Sequence, residues 1–267
     1  MIEIKDINDE KLNIFLNMSE NELAHIYEPG QGLFLAESQK ILERALAAGY
    51  EPEIALIEKR VINQIEPLLK PFDEVTIYVA EYDVIKNITG YPMTGGVLCA
   101  MKRKELPSFE EIVKEKKNIT ILDGVVNPTN IGAIFRNAAA LGIEAVILSP
   151  DCCNPLYKRA IRVSMGTVFQ IPWTKLKNDW PDVTLDYLKS EGYTVIATAL
   201  DEKAMAIDDI RVREVEKKAI LMGSEGYGLK EDTLKKSDMT VYIPMYHGVD
   251  SLNVAAASAL AFWELCK

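Results

Sequence analysis

The fold is decided by residues 118–149, NITILDGVVNPTNIGAIFRNAAALGIEAVILS. An apolar run begins this stretch and another ends it, and between them IGAIFRNAAALG has the spacing of a helix that ends at Gly142. A strand, a helix and a second strand in this order are typical of a parallel sheet whose crossover helices cover its faces. We therefore predict an α/β fold for this part of the chain.

Apolar runs and helical patterns continue to alternate as far as residue 267. KRAIRVSMG predicts a helix, VFQIPW a short strand, and residues 182–190 a further helix. YTVIATAL, AILMG and TVYIPM follow as three buried strands, and SLNVAAASALAFWELC predicts an Ala-rich final helix. In doubly wound sheets of this kind the ligand binds beyond the carboxyl ends of the strands, so we expect the site in the loops there.

The first part of the chain has its own pattern and a charged border. SQKILERALAA predicts a helix that ends at Gly49, and EPEIALIEKR, VTIYVA and GVLCAM predict strands. Residues 102–117 are highly charged and contain Pro107, which suits an exposed connector with one amphipathic helix. We therefore predict a small α/β domain, a linker and a second domain over residues 1–106, 107–118 and 119–267.

The composition is that of a folded globular protein. The chain has 267 residues, of which 48% are hydrophobic and 26% charged, and this excludes disorder and low complexity. No apolar run approaches the ~20 residues that cross a bilayer, which excludes an integral membrane protein. The sequence MIEIKDINDEKLNIF is acidic where a secretion signal would be basic, so we expect a cytoplasmic protein. Four cysteines lack metal-ligand spacing, and we expect reduced thiols and no metal: Cys99, Cys152, Cys153 and Cys266.

The net charge of −10 comes from 30 basic and 40 acidic residues. This balance argues against a protein that coats nucleic acid nonspecifically, because neutralising phosphates requires clustered cations. Basic clusters do occur locally, at residues 102–104, 114–117 and 158–162. For each cluster alone, solvated surface charge is the simplest interpretation.

Polar loops follow three of the predicted strands. Residues 123–132 form the first loop, which leads into a helix that carries Arg136. Asn130 has a side chain suited to cap this helix, and Arg136, six residues on, would lie in the second turn and could project toward a bound anion. Taken alone, the pair is better explained by a helix cap and a surface arginine than by a ligand site.

The other two loops follow AILM and TVYIPM. Residues 223–229, GSEGYGL, hold three glycines, which permit positive φ and a close approach of backbone to ligand, and Glu225 is their one acid. This is not a nucleotide P-loop, because no Lys-Ser/Thr pair follows the glycines. Residues 243–254, IPMYHGVDSLNV, lead into the final helix, for which Ser251 or Asn253 is a suitable cap.

The order and spacing of the three loops are more specific than any loop alone. NPTNIGAIFRNAAALG, LMGSEGYGL and IPMYHGVDSLNVAAASALAFWE together resemble the signature motifs of the TrmH (SpoU) family, RNA ribose 2′-O-methyltransferases of the SPOUT superfamily. The resemblance covers about residues 119–267. Residues 1–105 more loosely resemble the small substrate-binding domain, of ribosomal-protein-like α/β fold, that precedes the catalytic domain in many members.

This resemblance implies a fold, a cofactor and partners. The fold is an α/β trefoil-knot domain, and the cofactor is S-adenosylmethionine. The substrate is RNA, and the two-domain layout favours ribosomal RNA over transfer RNA. Family members act as homodimers, and no metal or membrane is involved.

The resemblance also implies roles for particular residues. Arg136 would act on the 2′-hydroxyl, surrounded by Asn130, Glu225, Ser251 and Asn253. The cofactor would be bound by Gly223, Ile243, Leu252, Ala199, Leu200 and Gly228. Candidates for RNA backbone contacts are Lys158, Arg159 and Arg162.

Two points stay open on the residues alone. A guanidinium is effectively always charged, so Arg136 is better suited to clamp a phosphate and stabilise the developing alkoxide than to act as a base. The protein could instead be a noncatalytic RNA-binding protein of the same fold. It could also methylate a base, with His247 or Asp250 as the proton acceptor.

Overall fold

The structure is a computed structural model that describes residues 1–4, 12–16, 18–27, 32–89, 93–177, 180–201, 203–224 and 226–267. Its contacts define two compact units. The N-terminal unit consists of Met1–Glu105 and Leu156–Phe169, and the C-terminal unit of Leu106–Pro155 and Gln170–Lys267. The predicted domain boundaries at residues 106 and 118 stay predictions.

The described part of residues 1–105 alternates short helices with strands. The elements are β1 (Ile2–Glu3), α1 (Asn13–Leu16), α2 (Glu20–Ala24), β2 (Leu33–Glu37), α3 (Gln39–Ala47), β3 (Pro52–Glu58), α4 (Ile62–Leu69), β4 (Thr76–Ala80), α5 (Tyr82–Thr89) and β5 (Val97–Lys102). Short 3₁₀ helices cover Lys59–Val61 and Thr94–Gly96.

The strands of the N-terminal unit form a mixed sheet in the order β1-β4-β3-β5-β2. β1, β4 and β3 run parallel, whereas β5 is antiparallel to β3 and β2. One face of the sheet buries a continuous apolar cluster that includes Leu35, Leu56, Tyr78 and Leu98. Along each strand these apolar residues alternate with residues on the other face of the sheet. The N-terminal unit therefore has a hydrophobic core of its own.

From residue 106 helices and strands alternate, except at one place where two strands follow each other. They are α6 (Phe109–Val113), β6 (Asn118–Leu122), α7 (Pro128–Ala140), β7 (Ala145–Leu148), α8 (Lys158–Val163), β8 (Trp173–Lys175), α9 (Asp182–Ser190), β9 (Thr194–Thr198), β10 (Met205–Ala206), α10 (Ile210–Arg213), β11 (Lys218–Met222), α11 (Glu231–Lys235), β12 (Met239–Tyr242) and α12 (Val254–Leu265). A 3₁₀ helix covers Thr167–Phe169. Of these elements, α8 and the 3₁₀ helix belong to the N-terminal unit, where α8 packs against β2.

The sheet of the C-terminal unit is parallel throughout and has the order β10-β12-β9-β11-β6-β7-β8. Because parallel strands share a direction, the loops after β12, β9, β11 and β6 leave from one edge of the sheet. Side chains such as Ile121, Ile147, Leu185, Val195 and Leu221 fill one core of this unit. The predicted α/β architecture with a parallel sheet is confirmed.

Two local expectations are resolved by the structure. VFQIPW was expected to be a strand, but the strand β8 begins only at its last residue, Trp173. Pro172 lacks the N–H that a ladder needs, although its carbonyl accepts a hydrogen bond from Val146 N over 3.0 Å. In the expected exposed connector, the helix α6 exists, and its residues Ile112 and Val113 are buried in the core of the C-terminal unit.

The helices α7 and α12 are joined by a side-chain amide. Asn137 Nδ2, on α7, donates to the carbonyl of Ala255 over 2.8 Å and to Ser258 Oγ over 2.9 Å, both on α12. Ser258 is fully buried. These bonds fix the position of the two helices that flank the loops of the C-terminal unit.

Replacing Asn137 by alanine should therefore lower the free energy of unfolding by about 1–2 kcal/mol, because buried acceptors on α12 lose their donor. Urea denaturation followed by circular dichroism measures the change. Asn63→Ala is the matched control, since Asn63 is an exposed asparagine within α4. Equal stability of the two variants would contradict this role of Asn137.

Candidate functional site

A cavity of about 360 Å³ lies in the C-terminal unit, at the carboxyl ends of its strands. Residues 198–200 at the end of β9 form one wall, and residues 222–224 at the end of β11 form another. The remaining walls are residues 241–243, at the end of β12, and residues 250–252, before α12. The cavity thus lies where parallel α/β sheets bind their ligands.

The structure brings the predicted cofactor-binding residues together. All six line this one cavity: Gly223, Ile243, Leu252, Ala199, Leu200 and Gly228. Apolar side chains such as Met222, Leu234 and Val241 complete the lining. Their assignment to a cofactor stays a prediction, and the geometry supports it.

The glycine-rich loop between β11 and α11 closes on itself. Ser224 N donates to the carbonyl of Gly228 over 3.1 Å, and Gly228 N donates to that of Ser224 over 3.0 Å. A Cβ on Gly223 would lie 2.3 Å from the carbonyl carbon of Gly228, so residue 223 must be glycine for the loop to close. Gly228 has a φ of +65°, which side chains rarely tolerate. Glu225, predicted to act beside Arg136, lies outside the described residues.

The helix α7 begins earlier than the sequence predicted. Asn127 is its N-cap, with Oδ1 accepting from Thr129 N over 2.8 Å, and Pro128 is the first helical residue. The prediction of Asn130 as N-cap is wrong, because a proline at the first helical position loses no hydrogen bond and its fixed φ suits the helix. Asn130 therefore lies inside the first turn, where its side chain is buried.

Two of the predicted catalytic residues contact each other. Asn253 Nδ2 donates to Asn130 Oδ1 over 3.1 Å. Asn253 is also the N-cap of α12, since its Oδ1 accepts from Ala255 N over 2.9 Å and from Ala256 N over 3.4 Å. Ser251, two residues earlier, lines the cavity. Asn130, Asn253 and Ser251 are thus held at one end of the strands.

Arg136 is exposed on α7, in the third turn of the helix rather than the second. Six residues separate it from Asn130, about 9 Å along a helix axis. Arg136 does not itself line the cavity in the described part of the chain. Its long side chain is therefore available to a bound anion.

The predicted RNA-contacting residues all lie on α8, within the N-terminal unit. Arg159 and Arg162 are exposed, whereas Lys158 is half-buried and its backbone N–H donates to the Glu20 carboxylate. Burial raises the pKa of Glu20, and the hydrogen bond from Lys158 opposes that shift.

All three cations of the basic cluster at residues 102–104 have structural contacts, and Lys102 Nζ lies 3.7 Å from Glu51 Oε2. Arg103 is half-buried, donates to the carbonyl of Leu33 over 3.0 Å, and has a pKa that burial lowers. Lys104 Nζ donates to the carbonyl of Ala48 over 2.6 Å. These contacts explain why a basic cluster in the sequence need not be a binding surface.

Sequence reasoning gave no role to Asp123, the residue that follows β6. Its carboxylate is 1% exposed and accepts from Trp180 Nε1 and from Thr233 Oγ1, each over 3.0 Å. Thr233 lies in α11, whose Leu234 lines the cavity. Asp123 therefore anchors one wall. In the sequence, the sign of this role is an acidic residue directly after an apolar strand.

Lys230 ends the glycine-rich loop and forms an ion pair at the surface. Its Nζ lies 2.6 Å from Asp151 Oδ2, and this hydrogen bond raises the pKa of Lys230. The ammonium therefore stays protonated at neutral pH. It adds a positive charge where α11 begins.

Comparisons with known proteins identify the family. Residues 117–263 match the sequence model described as the SpoU rRNA Methylase family. An uncharacterized tRNA/rRNA methyltransferase of Mycobacterium bovis is 35% identical over 98% of this chain and 90% of its own length. The 23S rRNA (guanosine-2′-O-)-methyltransferase RlmB of Acinetobacter baylyi is 32% identical over 77% of this chain and 84% of its own.

A solved structure agrees in fold along almost the whole chain. The AdoMet-bound rRNA methyltransferase from Sinorhizobium meliloti superimposes with a TM-score of 0.80 at 22% sequence identity. The match covers 98% of this chain and 96% of that one. The chain belongs to the SpoU methylase family, and the fold class that the three motifs predicted is confirmed.

Proposed function

We propose that this protein transfers a methyl group from S-adenosylmethionine to a ribose 2′-hydroxyl of RNA. The observation that carries the proposal is the cavity at the strand ends, where the second and third motifs meet beside the Asn130–Asn253 contact. The family and the name of the Acinetobacter relative support the same reaction. That relative also favours ribosomal RNA over transfer RNA as the substrate class.

The cavity fits S-adenosylmethionine in size and in chemistry. Its volume of about 360 Å³ lies within the ~300–1,000 Å³ of small-molecule sites. Leu200, Ile243 and Leu252 would bound the flat adenine, and backbone groups around Gly223 would contact its polar edge. When bound, the cofactor supplies a methyl group on a sulfonium, whose leaving group is neutral after transfer.

The residues of this chain would position the acceptor ribose and lower the free energy needed to deprotonate its 2′-hydroxyl. Arg136 stays positively charged, so it would bind the phosphate next to the ribose through two parallel hydrogen bonds. The same charge would stabilise the 2′-oxygen as it attacks the methyl group and loses its proton to solvent. Ser251 and the linked pair Asn130 and Asn253 would orient the hydroxyl.

The remaining assignments are proposals with separate support. We propose that the domain of residues 1–106 binds the RNA substrate. Arg159 and Arg162 are candidates for RNA backbone contacts because both are exposed, and Lys158 lies beside them.

We further propose that the protein is cytoplasmic. All four cysteines are free thiols, which agrees with this location.

We also propose a homodimer that forms through α12. Residues at helical spacing on this helix, Ala256, Leu260 and Trp263, face solvent in the single chain. Leu260 is 47% and Trp263 is 59% exposed, an apolar stripe that a second copy would cover. Its position on the helix that Asn253 caps would bring the partner close to the site.

The reaction is tested by incubating the protein with methyl-labelled S-adenosylmethionine and unmodified total RNA, then digesting the RNA to nucleosides. Label on a ribose 2′-oxygen is the expected result. Label on a base would show that the protein methylates a base and not a ribose. Cofactor binding without label in ribosomal or transfer RNA would favour a noncatalytic RNA-binding protein.

Arg136→Ala should lower kcat in this assay by about 10²–10³-fold, the loss typical of one transition-state donor. Binding of S-adenosylmethionine, measured by calorimetry, should stay unchanged, because Arg136 does not line the described cavity. Arg211→Ala is the matched control, since Arg211 is an exposed arginine that pairs with Asp209. Normal turnover by Arg136→Ala would refute the assigned role.

Gly223→Ala should weaken binding of S-adenosylmethionine by about tenfold or more, a loss of at least ~1.4 kcal/mol. The added Cβ would meet backbone atoms of Gly228 and Leu229 within 2.4 Å, so the loop would have to open. Gly226→Ala is the control within the same loop, because a Cβ there has no neighbour within 4 Å. Both affinities are measured by calorimetry. Equal affinities of the two variants would mean that closure of this loop does not contribute to cofactor binding.

Trp263→Glu should convert the proposed dimer into a monomer, because a charge on the apolar stripe would be buried at the interface. Light scattering after size-exclusion chromatography should give twice the chain mass of 29.9 kDa for the natural protein and 29.9 kDa for the variant. Val183→Glu, at an exposed valine on α9, should leave the dimer intact. A monomeric natural protein would overturn the proposal.

A further inference from the structure

Two tyrosines at the cavity have almost no contact with the rest of the protein. Tyr227 is 98% and Tyr246 is 82% exposed, the highest values among the exposed large hydrophobic residues of the described chain. Tyr227 lines the cavity, and Tyr246 directly follows Met245, which also lines it. Large aromatic rings usually bury most of their surface, so two exposed rings at one cavity indicate a ligand that covers them.

Each ring belongs to a hydrogen-bonded turn: Tyr227 lies within one, and Tyr246 is the first residue of the other. The reciprocal hydrogen bonds between Ser224 and Gly228 close the turn that carries Tyr227. Val249 N donates to the carbonyl of Tyr246 over 3.2 Å, and between them His247 and Gly248 have φ values of +58° and +71°. Both rings therefore project from fixed loops into solvent, and neither fills a gap in the core.

The chemistry of these rings suits a nucleobase better than a second protein surface. A tyrosine offers a flat π-face for stacking and a hydroxyl that stays solvated at the edge. Proteins that recognise unpaired RNA bases stack them on aromatic side chains in this way. The apolar stripe on α12, by contrast, is built from aliphatic and indole groups at helical spacing, as helix packing requires.

We propose that Tyr227 and Tyr246 stack on unpaired bases next to the nucleotide whose ribose is methylated. The inference rests on the proposed function, since it takes RNA as the ligand at this cavity. The acceptor ribose must approach the cavity, and its base and the neighbouring bases then reach the rim where the two rings lie. Stacking would hold the acceptor in place without reading its sequence through hydrogen bonds.

The test compares alanine and phenylalanine at both positions. Tyr227→Ala and Tyr246→Ala should each weaken RNA binding by about tenfold, the size of one base–aromatic stack. Phenylalanine at either position should retain affinity, because it keeps the π-face and loses only the hydroxyl. Affinity is measured by filter binding of an in vitro transcript of 23S ribosomal RNA, and the KM for the same transcript is measured in the methyl-transfer assay.

The controls separate stacking from other roles of the loops. S-adenosylmethionine affinity should stay unchanged in the Tyr246 variants, because Tyr246 does not line the described cavity. Val183→Ala, at an exposed valine on α9, should bind RNA normally. Unchanged RNA affinity in the double alanine variant, equal losses in the phenylalanine variants, or dissociation of a dimer would each overturn the inference. Tyrosine-dependent RNA binding without methyl transfer would refute the proposed function alone, whereas methyl transfer with an unchanged KM in the double variant would refute the inference alone.

Discussion

The side-chain amide of Asn253 connects the two helices on which the candidate site depends. Its oxygen satisfies the first turn of α12, and its nitrogen donates to the buried Asn130 on α7. The two residues are 123 positions apart in the chain, and they meet because α7 and α12 pack against each other. Asn137 repeats the connection further along α7 through Ala255 and Ser258. The loops around the cavity are therefore held by helix ends, which are rigid, and by buried polar contacts, which are specific.

A second constraint is the buried carboxyl group of Asp123. A carboxylate in the core is costly unless hydrogen bonds replace its water, and here an indole N–H and a threonine hydroxyl do so. The group ties β6 to α11 at the edge of the sheet where the cavity lies. The walls thus come from strands that are neighbours in space but distant in sequence, in the order β12-β9-β11.

The sequence predicted the strands well because a parallel sheet is covered on both faces, and its strands are then continuous apolar runs. It failed at residues where local signals compete. Asn127 and Asn130 are equally good caps by residue type, and only the position of Pro128 decides between them. VFQIPW is apolar except at Gln170, yet its first two residues end a 3₁₀ helix, and Pro172 lacks the N–H that a ladder needs. The contacts of Asn137 and Asp123 were missed because their partners lie on other elements, and a local pattern such as an acid after an apolar strand does not identify a partner.

The segment Leu156–Phe169 gives the chain a property that its two sheets alone do not. This segment is encoded between β7 and β8 of the C-terminal unit, but its contacts belong to the N-terminal unit, where α8 packs against β2. During synthesis the N-terminal unit can therefore not complete its packing until residue 169 has left the ribosome, when part of the second sheet is already present. The two units are in consequence poor candidates for exchange by simple gene fusion, because a cut at residue 105 would remove a helix from the unit that it was meant to isolate.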